Sequence, residues 1–189
     1  MTVPNKNYDN LFIISSPSGG GKGTLISKLL ETLPNLWLSV SATSREPRVG
    51  EEDGVNYYFL TKEEFLAKIK EGDFLEWAQY SENFYGTPKT SIDEHLEKGE
   101  KVILEIEVQG ALEVMEKCPG CHSIFIKPPS MEVLEERLRG RQTDSEEQIK
   151  KRLSAAKDEI KEADNYEKII INDDLDLAFS QLKEYIISF

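Results

Sequence analysis

The chain has 189 residues, of which 39% are hydrophobic and 31% are charged, so it is long enough for one globular domain with a buried core. Its formal net charge of −12 argues against nucleic-acid partners and against an anionic membrane surface, because both repel an acidic protein. The sequence shows no apolar run that could span a membrane and no signal-peptide pattern, so we expect a cytoplasmic protein.

The first predicted element is a buried parallel strand over residues 11–14, followed by a glycine-rich turn and a helix to about Leu33. Strand, glycine turn, Lys22 and helix together have the pattern of a phosphate-binding P-loop. Glycines let the backbone turn its N–H groups toward a phosphate, and the helix N-terminus adds its positive dipole end. We therefore predict a nucleoside triphosphate site made of Ser16, Pro17, Ser18, Gly19, Gly20, Gly21, Lys22, Gly23 and Thr24.

Two positions depart from the P-loop pattern. Ser16 stands where the first glycine is expected, and Gly23 replaces the hydroxyl residue that normally binds Mg²⁺. Thr24 comes one residue late, which rotates it by about 100° around a helix, so its hydroxyl does not substitute. We expect Mg²⁺ to be held by phosphates, waters and an acidic side chain elsewhere in the chain.

Residues 37–87 lack long buried runs and are predicted to form a small insertion. Short strands are expected over residues 37–41, 56–60 and 74–80, with a loop over 42–54 and a stop at 83–86. Thr61 and Glu64 fit a capping box, which predicts a helix that runs to about Glu71 and stops at Gly72.

The remaining residues alternate between helices and strands. Helices are predicted over residues 88–98, 109–117, 130–139, 145–164 and from 174 onward, and strands over 101–107, 123–126 and 168–171. This alternation around buried runs predicts an α/β fold with a parallel sheet, whose ligands bind beyond the carboxyl ends of the strands. Glu105 and Glu107 are expected to share one face of such a strand end, where a carboxylate handles Mg²⁺ and its waters. The alternative is two exposed residues at a strand tip.

All six arginines fall in two segments of the chain, Arg45 and Arg48 in the first, and Arg137, Arg139, Arg141 and Arg152 in the second. A guanidinium fork matches phosphate oxygens bidentately, so two clusters predict two phosphate-bearing regions. For the second cluster alone, a solvated helix face is the alternative interpretation.

The two cysteines, Cys118 and Cys121, form a CxxC motif. A zinc site needs four ligands and a redox pair needs a thioredoxin-like context, so we interpret the motif as a turn before a strand. A chain without a disulfide framework is typical of a reducing compartment.

In combination, these blocks resemble guanylate kinases over essentially the whole chain. The matching segments are residues 16–24, 41–48, 54–59, 74–86, 104–110, 137–144 and 171–174. The resemblance implies a P-loop kinase core with a parallel sheet flanked by helices, a small mixed α/β GMP-binding insertion and a helical lid. The core would cover about residues 8–36, 88–134 and 165–189, the insertion about 37–87 and the lid about 135–164. The implied activity is transfer of the γ-phosphoryl group of MgATP to GMP, giving ADP and GDP, in purine nucleotide metabolism.

The same resemblance implies a role for individual residues. The catalytic residues would be Lys22, Arg45, Arg137, Arg141 and Arg152. The P-loop residues would hold ATP phosphates and Asn172 would lie near adenine. The GMP phosphate would be held by Arg45, Arg48, Tyr57 and Tyr85, and guanine would be read by Ser41, Glu76 and Thr87, with Glu107 also at the GMP site. The hydroxyls of Ser41 and Thr87 are expected to donate to guanine O6. Glu105 would orient Mg²⁺ through water.

Three positions depart from the family pattern. Glu105 and Glu107 stand where the family often has aspartates, and Gln142 follows Arg141 where a glycine is frequent.

The resemblance implies ATP, GMP and dGMP as partners, and it leaves the oligomeric state, monomer or homo-oligomer, open. Two alternative functions are a P-loop kinase for another nucleoside monophosphate and a catalytically silent, guanylate kinase-like protein-binding module. Glu76 with Ser41 disfavours the first, and the retained Lys22 and arginines disfavour the second.

Overall fold

The computed structural model describes residues 7–140 and 144–189. Arg141, predicted to be a lid arginine, and the neighbouring Gln142 lie outside the described residues. The strands are β1 (Leu11–Ser15), β2 (Leu36–Leu38), β3 (Ala42–Thr43), β4 (Tyr58–Phe59), β5 (Phe74–Tyr80), β6 (Asn83–Pro88), β7 (Lys101–Glu105), β8 (His122–Lys127) and β9 (Lys168–Ile171). The helices are α1 (Lys22–Thr32), α2 (Lys62–Glu71), α3 (Lys89–Glu97), α4 (Val108–Lys117), α5 (Met131–Gly140), α6 (Glu146–Lys161) and α7 (Leu175–Ile187), with a 3₁₀ turn at Glu162–Asn165.

The larger sheet has the strand order β2-β7-β1-β8-β9, and every neighbouring pair in it is parallel. Strand β1 lies at the centre, and its apolar residues are completely buried. A parallel strand covered on both faces needs such a continuous apolar run. The predicted α/β fold with a parallel sheet flanked by helices is confirmed.

Alternate residues of β1 belong to two separate cores. Leu11 and Ile13 pack with residues of α4 such as Val114, on one face of the sheet. Phe12 and Ile14 pack on the other face, with residues of α1 and α7 such as Leu29 and Leu182. The strand that leads into the glycine-rich loop is therefore packed on both faces.

The smaller sheet has the strand order β4-β3-β6-β5, with parallel and antiparallel pairs. It has a core of its own, formed by Ala42, Phe65, Phe74 and Phe84. Phe65 comes from α2, whose N-terminus carries the predicted capping box: the Thr61 side chain accepts from the Glu64 N–H, and Glu64 bonds back. The mixed sheet and its helix are thus a separate packing unit beside the larger sheet.

The predicted strand over residues 37–41 is right at Trp37 and Leu38 but wrong over residues 39–41. Strand β2 ends at Leu38 and pairs with β7 at the edge of the larger sheet, where Trp37 lies opposite Val102. The next strand, β3, begins at Ala42 in the smaller sheet. One apolar run therefore contributes to two sheets, which a single pattern of alternation does not reveal.

The predicted stop at residues 83–86 is also wrong. These residues belong to β6, which pairs antiparallel with β5, and the chain reverses at Ser81 with a φ of 56°. Gly86 is needed for close packing, because a Cβ there would lie 3.0 Å from the Glu76 carbonyl oxygen and 3.1 Å from Phe65 Cζ. Glycine is typical of turns, but here close packing places it inside a strand.

Strand β7 ends at Glu105, two residues earlier than predicted. Glu107 has extended backbone angles and occupies the N-cap position of α4 without a side-chain hydrogen bond, so the two glutamates do not share a strand face. Cys118 and Cys121 are buried free thiols, and the Cys121 N–H donates to the Cys118 carbonyl in a turn before β8, as predicted.

Helices α5 and α6 pack on each other through a small apolar cluster of Leu134, Leu138 and Ala156. Helix α6 begins with a capping box between Ser145 and Gln148, and its predicted last turn is the 3₁₀ turn. Among the residues that the structure describes, no helix is long and apolar enough to cross a membrane.

Candidate active site

The loop between β1 and α1 has the geometry that a phosphate-binding loop requires. Gly19 and Gly21 have φ values of 94° and 90°, which favour glycine over any L-residue. Helix α1 begins directly after Gly21, which has no side chain to cap the first N–H groups. Those donors and the helix dipole therefore face the loop, where they stabilise an anion.

Asn172, directly after β9, stabilises this loop through a side-chain hydrogen bond. It is buried, and its Nδ2 donates to the Gly20 carbonyl oxygen at 2.9 Å. A Cβ on Gly21 would lie only 2.2 Å from the same Nδ2. The Asn172 side chain is thus used to shape the P-loop, a role that the sequence did not indicate.

Arg137 approaches the P-loop from α5. Its Nη2 donates to the Asn172 carbonyl oxygen at 2.7 Å, whereas its Nη1 is buried and has no hydrogen-bond partner within the described part of the chain. Buried donors are normally paired, so an orphaned guanidinium nitrogen beside a P-loop is suited to a phosphate oxygen.

Lys22 lies at the end of the P-loop, close to the tip of β7. Its Nζ donates to the Ile106 carbonyl oxygen at 3.3 Å and is 3.7 Å from Glu105 Oε1. Burial lowers the pKa of Lys22, and the charges of Glu105 and Glu107 oppose that shift. The predicted strand-end carboxylate and the P-loop lysine therefore form one charged centre.

Glu105 also lies beside the position that lacks a hydroxyl group. A Cβ on Gly23 would be 3.9 Å from Glu105 Oε1, so the carboxylate occupies the neighbourhood in which a serine or threonine side chain would offer its oxygen. Within the described ranges, no three His, Cys, Asp or Glu side chains form a cluster that could hold a metal. One carboxylate fits Mg²⁺ that is otherwise bound by phosphates and waters, which is how this ion usually binds.

A cleft of about 280 Å³ opens between the two sheets, next to Glu105. Its lining includes Ser41, Tyr57, Glu76, Tyr85, Glu107, Gln109 and Gly110. Six of the predicted site residues, Ser41, Tyr57, Glu76, Tyr85, Glu105 and Glu107, thus line one cleft. They come from distant parts of the chain, and the smaller sheet brings them to the carboxyl end of the larger one.

Glu76 is a buried carboxylate in this cleft, with only 8% of the residue exposed. Thr87 Oγ1 donates to its Oε1 at 2.5 Å. A Cβ on Gly110 would be 2.9 Å from its Oε2, so α4 must carry a glycine there to leave room for the carboxylate. Burial raises the pKa of Glu76, and the Thr87 hydroxyl opposes this shift. Thr87 therefore orients Glu76, and its hydrogen is not available for the expected contact with guanine O6.

Arg45 lies behind two tyrosines, Tyr57 and Tyr85, that line the cleft. Its guanidinium is 5.1 Å from the Tyr57 ring centroid, and the rings of Tyr57 and Tyr85 meet edge to face at 6.1 Å. Glu51 binds Arg45 bidentately, with N–O distances of 2.6 and 2.7 Å. Arg48 is exposed on the same loop. Three of the four residues predicted for the GMP phosphate are thus together, and Arg48 is at the periphery.

Helix α6 contacts the P-loop at Ser18. Arg152 Nη1 donates to Ser18 Oγ at 2.6 Å, and Nη2 is 3.3 Å from Asp144 Oδ1. Two turns further on, Glu159 has a buried Oε2 without a hydrogen-bond partner among the described residues. Burial and the charge of Glu107 raise the pKa of Glu159, whereas Lys22 and the Ser18 backbone oppose the shift. Helix α6 therefore contacts the P-loop directly.

The family model described as guanylate kinase matches residues 8–188 of this chain. The chain belongs to the guanylate kinase family. A guanylate kinase from Synechocystis is 52% identical over 93% of the chain and 92% of its own length. One from Clostridioides difficile is 49% identical over 94% of the chain and 87% of its own length. The crystal structure of guanylate kinase from Anaplasma phagocytophilum aligns with a TM-score of 0.74 at 36% identity, over 94% of this chain and 84% of that one.

The family resemblance inferred from the sequence blocks is thus confirmed, and the chain is a nucleotide-binding kinase of the guanylate kinase family. The silent binding module is not favoured by these relatives.

Sequence reasoning missed four residues that shape the site of this guanylate kinase family member, namely Glu51, Gly110, Asp144 and Glu159. Glu159 had a usable signal, because it follows Arg152 by seven residues and so lies on the same helix face. Glu51 had a weaker one, an acid close behind two arginines on one loop. Gly110 and Asp144 each end a segment that resembles the family, but their roles depend on contacts with Glu76 and Arg152, which the segments themselves do not indicate.

Proposed function

We propose that this protein transfers the γ-phosphoryl group of MgATP to GMP, giving ADP and GDP. The observation that carries the proposal is the buried carboxylate of Glu76, held by Thr87 in a cleft that opens beside the P-loop and Lys22. A buried acceptor at that place selects a base that offers donors, and the adjoining loop binds phosphates.

Guanine suits Glu76 because its Watson–Crick edge carries two adjacent donors, N1–H and the exocyclic amine. An ionised carboxylate accepts both side by side. Adenine presents a bare N1 there, whose lone pair faces the carboxylate and is repelled. Ser41, which lines the same cleft, is the hydroxyl that we assign to guanine O6. The wrong base leaves a buried acceptor unpaired, a mechanism that discriminates by up to about 10⁴-fold.

The phosphate of GMP is assigned to Arg45, Tyr57 and Tyr85, with Arg48 joining from the loop when the site closes. The triphosphate is assigned to the P-loop residues 16–24 and to Lys22, Arg137 and Arg152, with Arg141 completing the lid. Asn172 supports the loop in which ATP binds. Glu105 is the side chain that we assign to the waters of Mg²⁺, and the ion neutralises phosphate charge when it binds with ATP.

Little covalent chemistry is required of the protein. An oxygen of the GMP phosphate is itself the nucleophile, so the residues serve to bring two phosphates into line, to neutralise their charge and to exclude water. A lid that stayed closed would block substrates, and one that stayed open would expose ATP to water. We therefore assign hinged closure to a lid of about residues 135–164 over a core, with a GMP-binding insertion before residue 88.

One coupled assay with MgATP and each of GMP, dGMP, AMP, CMP and UMP tests the proposal. We expect GMP to be the preferred acceptor and dGMP to be used, because the assigned residues contact base and phosphate rather than the ribose 2′-hydroxyl. We place the reaction in the cytoplasm, where its substrates occur. Preference for another nucleotide, or no turnover at all, would overturn the assignment.

A further inference from the structure

Arg45 is fixed in place by a carboxylate that lies outside the lining of the cleft. Its Nη1 donates to Glu51 Oε2 at 2.6 Å and its Nη2 to Glu51 Oε1 at 2.7 Å, so both oxygens meet one edge of the guanidinium. Nη1 also donates to the Glu46 carbonyl oxygen at 2.9 Å. Paired forks of this kind define the orientation of an arginine plane as well as its position.

Glu51 is in turn anchored to the loop that carries it. The backbone N–H of Arg48 donates to Glu51 Oε2 at 2.8 Å, which closes the loop between Arg45 and Glu51. The Arg45 and Glu51 side chains are only 12% and 20% exposed. The Phe59 ring centroid lies 5.6 Å from the guanidinium, in addition to the Tyr57 ring. The arginine is therefore held by the carboxylate and the two rings.

The arrangement leaves a specific edge of Arg45 for a ligand. A guanidinium has five N–H donors, and Glu51 with the Glu46 carbonyl accounts for three of them. The other two, on Nε and Nη2, point along the second edge of the fork. Besides Glu51, hydrogen bonding and charge at the Tyr85 phenol also raise the pKa of Arg45, and Tyr85 lines the cleft, so we expect a phosphate to share this edge with the phenol.

We propose that Glu51 is a positioning residue that presents the Nε–Nη2 edge of Arg45 to the phosphate monoester of the acceptor nucleotide. The inference rests on the proposed role of Arg45 in holding that phosphate. Without Glu51, a long and flexible side chain has to be ordered at the moment of binding, which weakens affinity. Because the Arg45 hydrogen bonds and the Arg48 N–H hold the pKa of Glu51 down at about 2, the pair stays charged throughout the neutral range.

The proposal differs from simple competition between Glu51 and phosphate. A competitor would occupy the donors that the ligand needs, and its removal would tighten binding. A positioning residue occupies the opposite edge, and its removal loosens binding of the phosphate alone. The two models therefore predict opposite signs for the same substitution.

The test uses Glu51→Gln and Glu51→Asp in the full chain, with Glu52→Gln as the matched control on the exposed neighbouring residue. Isothermal titration with GMP and with guanosine, which lacks the phosphate, separates phosphate binding from base binding. For Glu51→Gln we expect GMP affinity to fall about tenfold and guanosine affinity to change less than about twofold. KM for ATP should also stay within about twofold, and Glu52→Gln should behave as the parent protein. Tighter GMP binding, or equal losses for GMP and guanosine, would overturn the proposal.

Glu51→Asp keeps the charge but is one methylene too short to hold Arg45 and the Arg48 N–H together. We expect an intermediate loss of GMP affinity, and parent-like affinity would contradict the positioning role. This variant decides the question where thermal unfolding shows that Glu51→Gln does not fold.

Arg45→Ala separates the inference from the function on which it rests. If Arg45→Ala alone binds GMP as the parent does, the assignment of the phosphate to Arg45 fails. If it weakens GMP binding, Glu51→Gln should add less than about twofold in the Arg45→Ala background, since the partner through which it acts is gone. A full additional tenfold loss in that background would show that Glu51 acts by another route.

Discussion

The P-loop and the cleft around Glu76 both bind polar groups of nucleotides in our assignment, but the chain builds them differently. The P-loop is one continuous segment, and its donors are backbone N–H groups held by glycine conformations and by Asn172. The cleft assembles side chains from β5, β6, α4 and the loop after β3, and its buried carboxylate, Glu76, already holds a protein partner in Thr87. Local backbone is enough to bind phosphate, whereas base selection requires side chains fixed by distant contacts.

The largest expected effect is on the P-loop, where backbone geometry decides function. Gly21→Ala places a Cβ 2.2 Å from Asn172 Nδ2 at a φ of 90°. We expect turnover to fall by more than about 100-fold, because the loop amides move away from the phosphates. The free energy of unfolding should fall by about 2 kcal/mol.

The matched control is Gly72→Ala, at a φ of 76° with open space around the added Cβ. It should lose about 1–2 kcal/mol of stability through the left-handed conformation and keep its activity. Denaturant unfolding and a coupled assay measure both quantities. Equal losses of activity in the two variants would mean that stability, and not loop shape, explains the result.

The second prediction compares two arginines on α5. Arg137→Ala removes the buried Nη1 beside the P-loop and should lower kcat by about 100-fold, since such a donor acts on charge that develops in the transition state. Arg139→Ala removes an exposed arginine that pairs with Glu135 and Glu146 on the surface, so kcat should change less than about twofold. Similar kcat values for the two variants would reject the assignment of Arg137.

The third prediction concerns the cleft. Glu76→Gln keeps the shape of the side chain but loses the charge and one acceptor. We expect kcat/KM for GMP to fall at least about tenfold, equivalent to about 1.4 kcal/mol, whereas the poor reaction with AMP changes little. Glu82→Gln, on the exposed turn between β5 and β6, should not change the preference. A Glu76→Gln protein with its full GMP-over-AMP preference would remove Glu76 from base selection.

The smallest expected effect is on stability, and it depends on pH. Burial raises the folded-state pKa of Glu76 above its ordinary value of 4.5, so its contribution to stability is present below that value and is lost as pH rises through the folded pKa. Ligand-free Glu76→Gln, whose amide carbonyl still accepts from Thr87, should therefore be more stable than the parent at pH 7. The difference in the free energy of unfolding should shrink as pH falls toward 5. A difference that grows on acidification would contradict the raised pKa.

The sequence predicted elements well wherever the signal was local. The capping box at Thr61 and Glu64, the buried strand before the P-loop and the turn between Cys118 and Cys121 are all present. The predictions from sequence failed where one apolar run contributes to two sheets and where a glycine lies inside a strand. Trp37 lies in the larger sheet although the next strand joins the smaller one, and Gly86 lies inside a strand because Phe65 and Glu76 pack against it.

By itself, the sequence determined the α/β class, the P-loop and the family, because glycine spacing, apolar runs and motif blocks are properties of consecutive residues. Only the tertiary structure decided which side chains hold one another. Thr87 orients Glu76, Gly110 makes room for it, Asn172 locks the P-loop, and Glu51 fixes Arg45. Most of these partners are separated by long stretches of chain, and even Arg45 and Glu51 meet only because their loop folds back. Packing forces, and not local propensity, bring such groups within hydrogen-bond distance.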